Sequence, residues 1–194
     1  QDGKALQAGT THFLGQNFAR ASGIKFQNAA EQEEHAWTTS WGVSTRLIGA
    51  LLMTHADDDG MVVPPKVAPA HAVILPIYRD ADSRAAVMPF VAKLARRLRG
   101  ERYGDRQLEI ESDDRDIRGG EKNWGWIKRG VPLRIEVGPR DVEAGMVTLA
   151  RRDRAVRDKD NLAVDQLVAE APNLLADMQR GLFDRALAFR QERT

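Results

Sequence analysis

Cysteine is absent from all 194 residues, so there is neither a disulfide framework nor a thiolate metal site. Its absence agrees with a cytosolic setting. No apolar run approaches the roughly 20 residues that span a bilayer, and Gln1-Asp2-Gly3-Lys4 has none of the apolar core of a signal peptide. A dominant charge is lacking too. The 29 basic and 28 acidic residues leave +1, so any RNA contact must come from a local patch. His35, His55 and His71 are isolated, with no pair at zinc spacing, and no metal site is expected. There is no internal repeat and no low-complexity tract. The chain lacks an initiator Met, which is the expectation for a piece of a longer polypeptide. What remains is ordinarily globular: 42% hydrophobic and 29% charged residues, at a length that suits one or two domains.

Residues 4–7 read as extended, followed by a Gly9-Thr10-Thr11 turn and a helix over 11–22 that Gly23 stops. Ile24 to Gln27 alternates like a strand, and Glu31, Glu33 and Glu34 read as a solvated acidic loop. His35 to Thr39 is a β-prone approach to Ser40-Trp41-Gly42-Val43-Ser44-Thr45-Arg46. After Gly42 the period turns helical, with Val43, Leu47, Ala50, Leu51 and Thr54 on one face and Ser44 or Thr45 as cap. Arg46 then sits in the first turn of a helix that looks core-facing, where a guanidinium needs an anion. Helix geometry leaves two partners open, a neighbouring carboxylate or a phosphate.

Asp57-Asp58-Asp59-Gly60 reads as a tight turn rather than a calcium loop. Met61 to Val63 is a short strand, and Pro64 to Pro69 is the best domain junction. Beyond it the pattern is α/β. Ala72 to Tyr78 is a strand buried on both faces. A helix covers 83–99, with Pro89 disturbing its first half. Strands follow at 107–110, 133–137 and 142–151, with a helix at 119–128 and helical sequence from 161 to 194. Strand–helix alternation argues a mostly parallel, covered sheet.

Some residue types are ambiguous on their own. Thr10 or Thr11 is most simply a helix cap, and His12 a first-turn residue. Arg134 reads as a strand-end surface charge, and Gly138-Pro139-Arg140-Asp141 as a turn. Trp124 and Trp126 suit packing or base stacking. Arg96, Arg97 and Arg99, with Arg151, Arg152 and Arg154, suit phosphates or a solvated face.

The stretch Ser40 to Gly49 closely resembles the third signature motif of class II aminoacyl-tRNA synthetases, in the prolyl-tRNA synthetase form of archaeal/eukaryotic-like type. The resemblance extends over Ala5 to Phe18, Gly60 to Pro69 and Gly130 to Asp141, in order, and so covers nearly the whole chain. It implies Gln7 and Thr10 at ATP, with Arg46 clamping the terminal phosphates. It implies His12, Ser40, Trp41 and Gly42 around proline, and Arg134, Arg140 and Asp141 on the two guanines of the anticodon. After the Trp of that helix the family carries an acidic residue; here Trp126 is followed by Ile127, which puts one guanine contact in doubt.

The fold so implied is α/β. Part of the class II antiparallel-sheet catalytic domain occupies 1–68, a mostly parallel-sheet anticodon-binding domain 69–160, and a helical link to a further domain 161–194. The implied reaction is ATP-dependent ligation of proline to its tRNA through prolyl-adenylate, with Mg²⁺, in a cytoplasmic homodimer that meets neither membrane nor DNA. The dimer motif and the α-phosphate arginine lie upstream, so this chain alone is expected to be inactive. A non-catalytic tRNA-binding module derived from such an enzyme is the alternative.

Overall fold

A computed structural model describes residues 4–193. Gln1 to Gly3, in the opening segment, and Thr194, at the end of the expected tail helix, lie outside the described residues. The chain divides into two compact units, Gln1–Met53 and Thr54–Thr194.

The first unit contains β1 (Thr10–Gly15), α1 (Asn17–Ser22), β2 (Lys25–Gln27), β3 (Glu33–His35), β4 (Thr38–Gly42) and the start of α2 (Arg46–His55). The helix expected over 11–22 is therefore mostly a strand. Thr10, Thr11 and Phe13 are β-branched or aromatic, and β4 supplies antiparallel hydrogen bonds that a Thr cap cannot match. Gly23, at φ +67, does stop the short helix that follows. The acidic loop is half strand: β3 pairs with β2, and Glu33 meets Lys25 at 2.9 Å. The core-facing reading of α2 also fails, for none of its residues is buried. Apolar periodicity marks a face able to be covered, and among the described residues this unit's strands form two-stranded ribbons without a second sheet layer.

The second unit runs β5 (Ala72–Pro76), α3 (Ala81–Gly100), β6 (Arg102–Tyr103), β7 (Arg106–Gln107), β8 (Ile110–Ser112), α4 (Gly119–Arg129), β9 (Leu133–Val137), α5 (Pro139–Ala144), β10 (Met146–Arg151), β11 (Lys159–Ala163) and α6 (Val164–Gln191). The sheet order is β11-β10-β9-β5-β8. β5 pairs parallel with β8 and β9, while β10 is antiparallel to both β9 and β11. All strands but β10 thus point one way. Three expectations shift. The strand placed at 107–110 is a two-residue hairpin arm followed by β8. Pro139, Asp141 and Gly145 make a helix of what read as the start of a strand. β11 hides in the stretch read as helix because Lys159-Asp160-Asn161-Leu162-Ala163 has no apolar alternation, and pairing with β10 alone makes it a strand.

Strand alternation separates two cores. Ala72, Ile74, Leu133, Ile135 and Val137 face α3 and α6, whereas Val73 and Leu75 face Val131 and Trp126. In α3, Val87, Val91, Leu94, Ala95 and Leu98 form the buried stripe, and the Asp80 carboxylate caps the helix at the Ser83 N–H. In α6 the stripe Leu167, Val168, Ala171, Leu175 and Met178 joins the main core, so this helix packs as part of the α/β unit. Met61 to Val63 forms no strand. Its N–H groups bond instead to Lys128 O and Gly130 O at the end of α4, at 3.1 and 3.2 Å. Two glycines allow that contact: a Cβ on Gly60 or Gly130 would lie 2.6 Å from Lys128 Cα or Met61 O, and both have positive φ.

His71 is fully buried where β5 begins, its Nδ1 accepting the Glu109 N–H at 2.9 Å. Burial and then Arg106 hold its pKa below the ordinary 6.5, against a smaller upward pull from Glu109. The unfolded chain therefore takes up the proton first as pH falls. Stability contributed by neutral His71 is complete above about pH 6.5 and drains away as pH drops through the folded pKa. His55, lowered by burial and by Arg185, acts in the same direction. His71→Asn keeps an acceptor but no proton, so its melting temperature should depend less on pH between about 6.5 and 5 than that of the unsubstituted chain. Parallel melting curves for the two would refute this.

Candidate functional site

In the first unit the β1–β4 register sets Thr10 opposite Gly42, Thr11 opposite Trp41 and His12 opposite Ser40. Because strand side chains alternate, Thr10, His12, Ser40 and Gly42 share one face, and Trp41 lies on the other with Thr11 and Phe13. The four residues expected around proline are thus three on one face plus a Trp41 that is 77% exposed on the opposite one. The residues expected at ATP do meet. Gln7 donates through Nε2 to Thr10 Oγ1 at 2.8 Å, and Arg46 donates through Nη1 to Gln7 Oε1 at 2.9 Å. Arg46 is exposed and pairs with this amide, so it lacks the buried position considered from the sequence and, among the described residues, has no carboxylate partner.

In the second unit the chain leaves β5 through α3 to β8 on one side, then crosses back through α4 to β9 on the other. The carboxyl ends of β5 and β9 therefore flank a topological switch point, where α/β sheets form their ligand crevices. A cleft of about 290 Å³ opens there, between Pro76 and Ile77, the start of α4 at Gly119, and Asn123, Glu136 and Lys159. Lys159 Nζ bridges both Glu136 carboxylate oxygens, at 2.7 and 2.8 Å.

Arg134 is not a surface charge at a strand end. It is 1% exposed in mid-strand on the α4 side, and its Nε donates to Asn123 Oδ1 at 2.9 Å. Burial, with Arg152 nearby, pushes its pKa down to about 10 against a pull from Glu136. Its Nη1 is buried with no hydrogen-bond partner among the described residues. Gly138 to Asp141 is the start of α5 rather than a free turn. Asp141 Oδ2 accepts the Gly138 N–H at 2.7 Å, and Arg140 is exposed beside it. Gly138 adjoins Ile77, which places this segment at the rim of the cleft.

Ile127 is fully buried, and Trp126 points its indole N–H at Asp113 Oδ2, 2.8 Å away. Arg115 also bonds both Asp113 oxygens, holding that carboxyl well below the usual range. Trp126 therefore packs, whereas Trp124 is 45% exposed. Asn123, Glu136 and Lys159 escaped the sequence reading because polar residues on a helix, a strand and an edge carry no motif. Their convergence comes from the crossover.

The anticodon binding domain family matches residues 71–174, over half of the chain and centred on this sheet and cleft. The chain belongs to that family. Beyond the domain, the chain is 56% identical over 192 residues to a proline–tRNA ligase of Bdellovibrio bacteriovorus, covering 99% of this chain and 38% of that protein. It is 55% identical to that of Rhodopirellula baltica over 196 residues, 100% of this chain and 38% of the relative. The Akkermansia muciniphila proline–tRNA ligase is 49% identical over 190 residues, again 98% and 38%. The chain thus spans roughly two fifths of the length of the curated relatives it matches. Among the described residues of this anticodon-binding-family chain, no helix is long and apolar enough to cross a membrane.

Proposed function

We propose that this chain is the part of a prolyl-tRNA synthetase that reads the anticodon of the proline tRNA and supplies one side of the ATP and proline site. The carrying observation is Arg134: a buried guanidinium with an Nη1–H unmet among the described residues, beside a switch-point cleft whose rim holds Arg140 and Asp141. A guanine edge offers acceptors for arginine and donors for a carboxylate, and unpaired loop bases expose that edge. On this reading Arg134, Arg140 and Asp141 contact the anticodon. His12, Ser40 and Gly42 line the proline pocket from one face, and Trp41 borders it only if the substrate reaches the second face.

The reaction is activation followed by transfer. A proline carboxylate oxygen bonds to the α-phosphorus of ATP as the α–β phosphoanhydride bond breaks, and pyrophosphate leaves. A hydroxyl of the terminal ribose then attacks the adenylate's carbonyl carbon, and the ester forms as the anhydride bond breaks and AMP leaves. Positioning and cationic charge carry such phosphoryl chemistry, and Arg46 is the cation this chain supplies. Near Arg46 the donors are an amide and a hydroxyl rather than carboxylates, and among the described residues no acidic or histidine cluster forms a metal cage. The residues present do not fit a Mg²⁺ site of their own. Homodimerisation through a region outside this chain and a cytoplasmic location belong to the same proposal, as do the domain limits 1–68, 69–160 and 161–194. A tRNA-binding module without catalysis is the second reading, favoured by the exposure of Arg46 at the start of α2 and of Trp41 on a two-stranded ribbon.

Arg140 is the residue to test, because its exposure lets it be truncated without emptying the core. Arg140→Ala should weaken binding of the proline tRNA by about 1–3 kcal/mol in filter-binding titrations. An unrelated tRNA should bind more weakly and lose little. Equal affinity for both tRNAs, unchanged by the substitution, would remove the anticodon reading.

A further inference from the structure

Residues 39 positions apart, Gln7 and Arg46, meet because the backbone brings them together. Thr10 pairs with Gly42, and a Cβ on Gly9 would stand 3.3 Å from Gly42 O and 3.7 Å from Val43 Cγ2. Residues 7–10 are thereby laid along the strand-to-helix junction from which Arg46 projects. The Arg46 backbone N–H is itself tied to Ser44 Oγ at 3.3 Å.

A primary amide has one acceptor end and one donor end, and nothing intrinsic sets which way it points. Here the guanidinium, which has only donors, takes the amide oxygen at 2.9 Å, and Thr10 Oγ1, which can donate or accept, anchors the amide's donor end at 2.8 Å. An amide turned over would present N–H to a guanidinium that has only donors, and the contact would become repulsive.

We propose that Thr10 is a positioning residue: it anchors the Gln7 side chain in place, and Gln7 holds the Arg46 guanidinium ready for an anionic phosphate ligand. This rests on the proposed nucleotide site. It differs from two independent contacts to ATP, because Thr10 acts through Gln7. The neutral amide suits the task. A carboxylate at position 7 would hold Arg46 more tightly, but it would compete with and repel the phosphate.

The test uses the longer polypeptide that contains this chain, with ATP–pyrophosphate exchange and separate KM values for ATP and proline. Thr10→Val removes the hydroxyl and keeps a β-branched strand residue, so the ribbon survives. KM for ATP should rise roughly tenfold, the scale of one charge-assisted hydrogen bond, with KM for proline unmoved. Thr10→Ser, which restores the hydroxyl, should recover most of the loss. Gln7→Met should raise KM for ATP at least as much, and Thr10→Val added to it should cost nothing more. Losses that multiply in the double variant would overturn the relay, as would Thr10→Ser as poor as Thr10→Val. Wild-type exchange in Arg46→Ala is a separate result: it would overturn the nucleotide site, and the relay with it.

Discussion

Arg46→Ala, introduced into the longer polypeptide, is expected to abolish proline-dependent pyrophosphate exchange. When the carboxylate attacks the α-phosphorus, negative charge gathers on the departing pyrophosphate. A guanidinium offers fixed, forked donors to those oxygens and stays charged at any working pH. Arginines in this role contribute roughly a thousandfold or more to phosphoryl-transfer rates. Arg46→Lys keeps the charge and loses the fork, so partial activity is expected from it. The free geometry supports this. The side chain is exposed, and its hydrogen-bond partner among the described residues is a neutral amide, which phosphate can displace without expelling a carboxylate. The chemistry is measured as exchange of labelled pyrophosphate into ATP with proline present and absent. Exchange in Arg46→Ala within a few-fold of the unsubstituted enzyme would rule Arg46 out as the phosphate clamp.

The second large effect concerns stability. Asp57→Ala should destabilise the anticodon-binding unit by about 3 kcal/mol, the lower end of the range for breaking a buried ion pair. Arg152 has a side chain only 2% exposed. It donates to both Asp57 oxygens, to Gly60 O at 3.3 Å and to Ile127 O at 3.1 Å. Removing the carboxylate leaves a buried guanidinium with two carbonyls and no counter-charge. Asp57 is half exposed, which lets water reach the gap and keeps the expected loss from being larger. The same pair sets a pH dependence. Arg152 holds the Asp57 carboxyl below its ordinary 3.8, so this contribution is present above about pH 4 and is lost as pH falls through the folded pKa. Urea denaturation of the chain reads both: the midpoint should drop in Asp57→Ala, with the slope unchanged. An unmoved midpoint would show the clamp to be incidental to stability.

Much of the second unit was legible in the residues. Ala72 to Pro76 is apolar at every position and forms a strand buried throughout. Gly130 and Gly138 bound β9 as the glycines suggest, and the helix read over 83–99 falls within α3, where Val87, Val91, Leu94 and Leu98 recur at helical spacing and are buried. The failures share a cause. Thr10 to Gly15 and Lys159 to Ala163 become strands only because β4 and β10 lie beside them, and local spacing carries no record of a partner distant in sequence. Arg134 was misplaced for a related reason. A charged residue between two apolar ones is the pattern of a strand with one wet face, and only α4 crossing that face, with Asn123 at its Nε, buries it.

By itself the sequence determined the family and the α/β class of the larger unit. Those rest on residue identity and order along the chain. Tertiary structure alone decided that Gln7, Thr10 and Arg46 touch while Trp41 turns away from His12 and Ser40. It also decided that Asn123, Glu136 and Lys159 converge on one cleft. Register and crossover place those groups, and both are set by pairings across tens of residues, whose free energy belongs to the assembled sheet rather than to any local stretch.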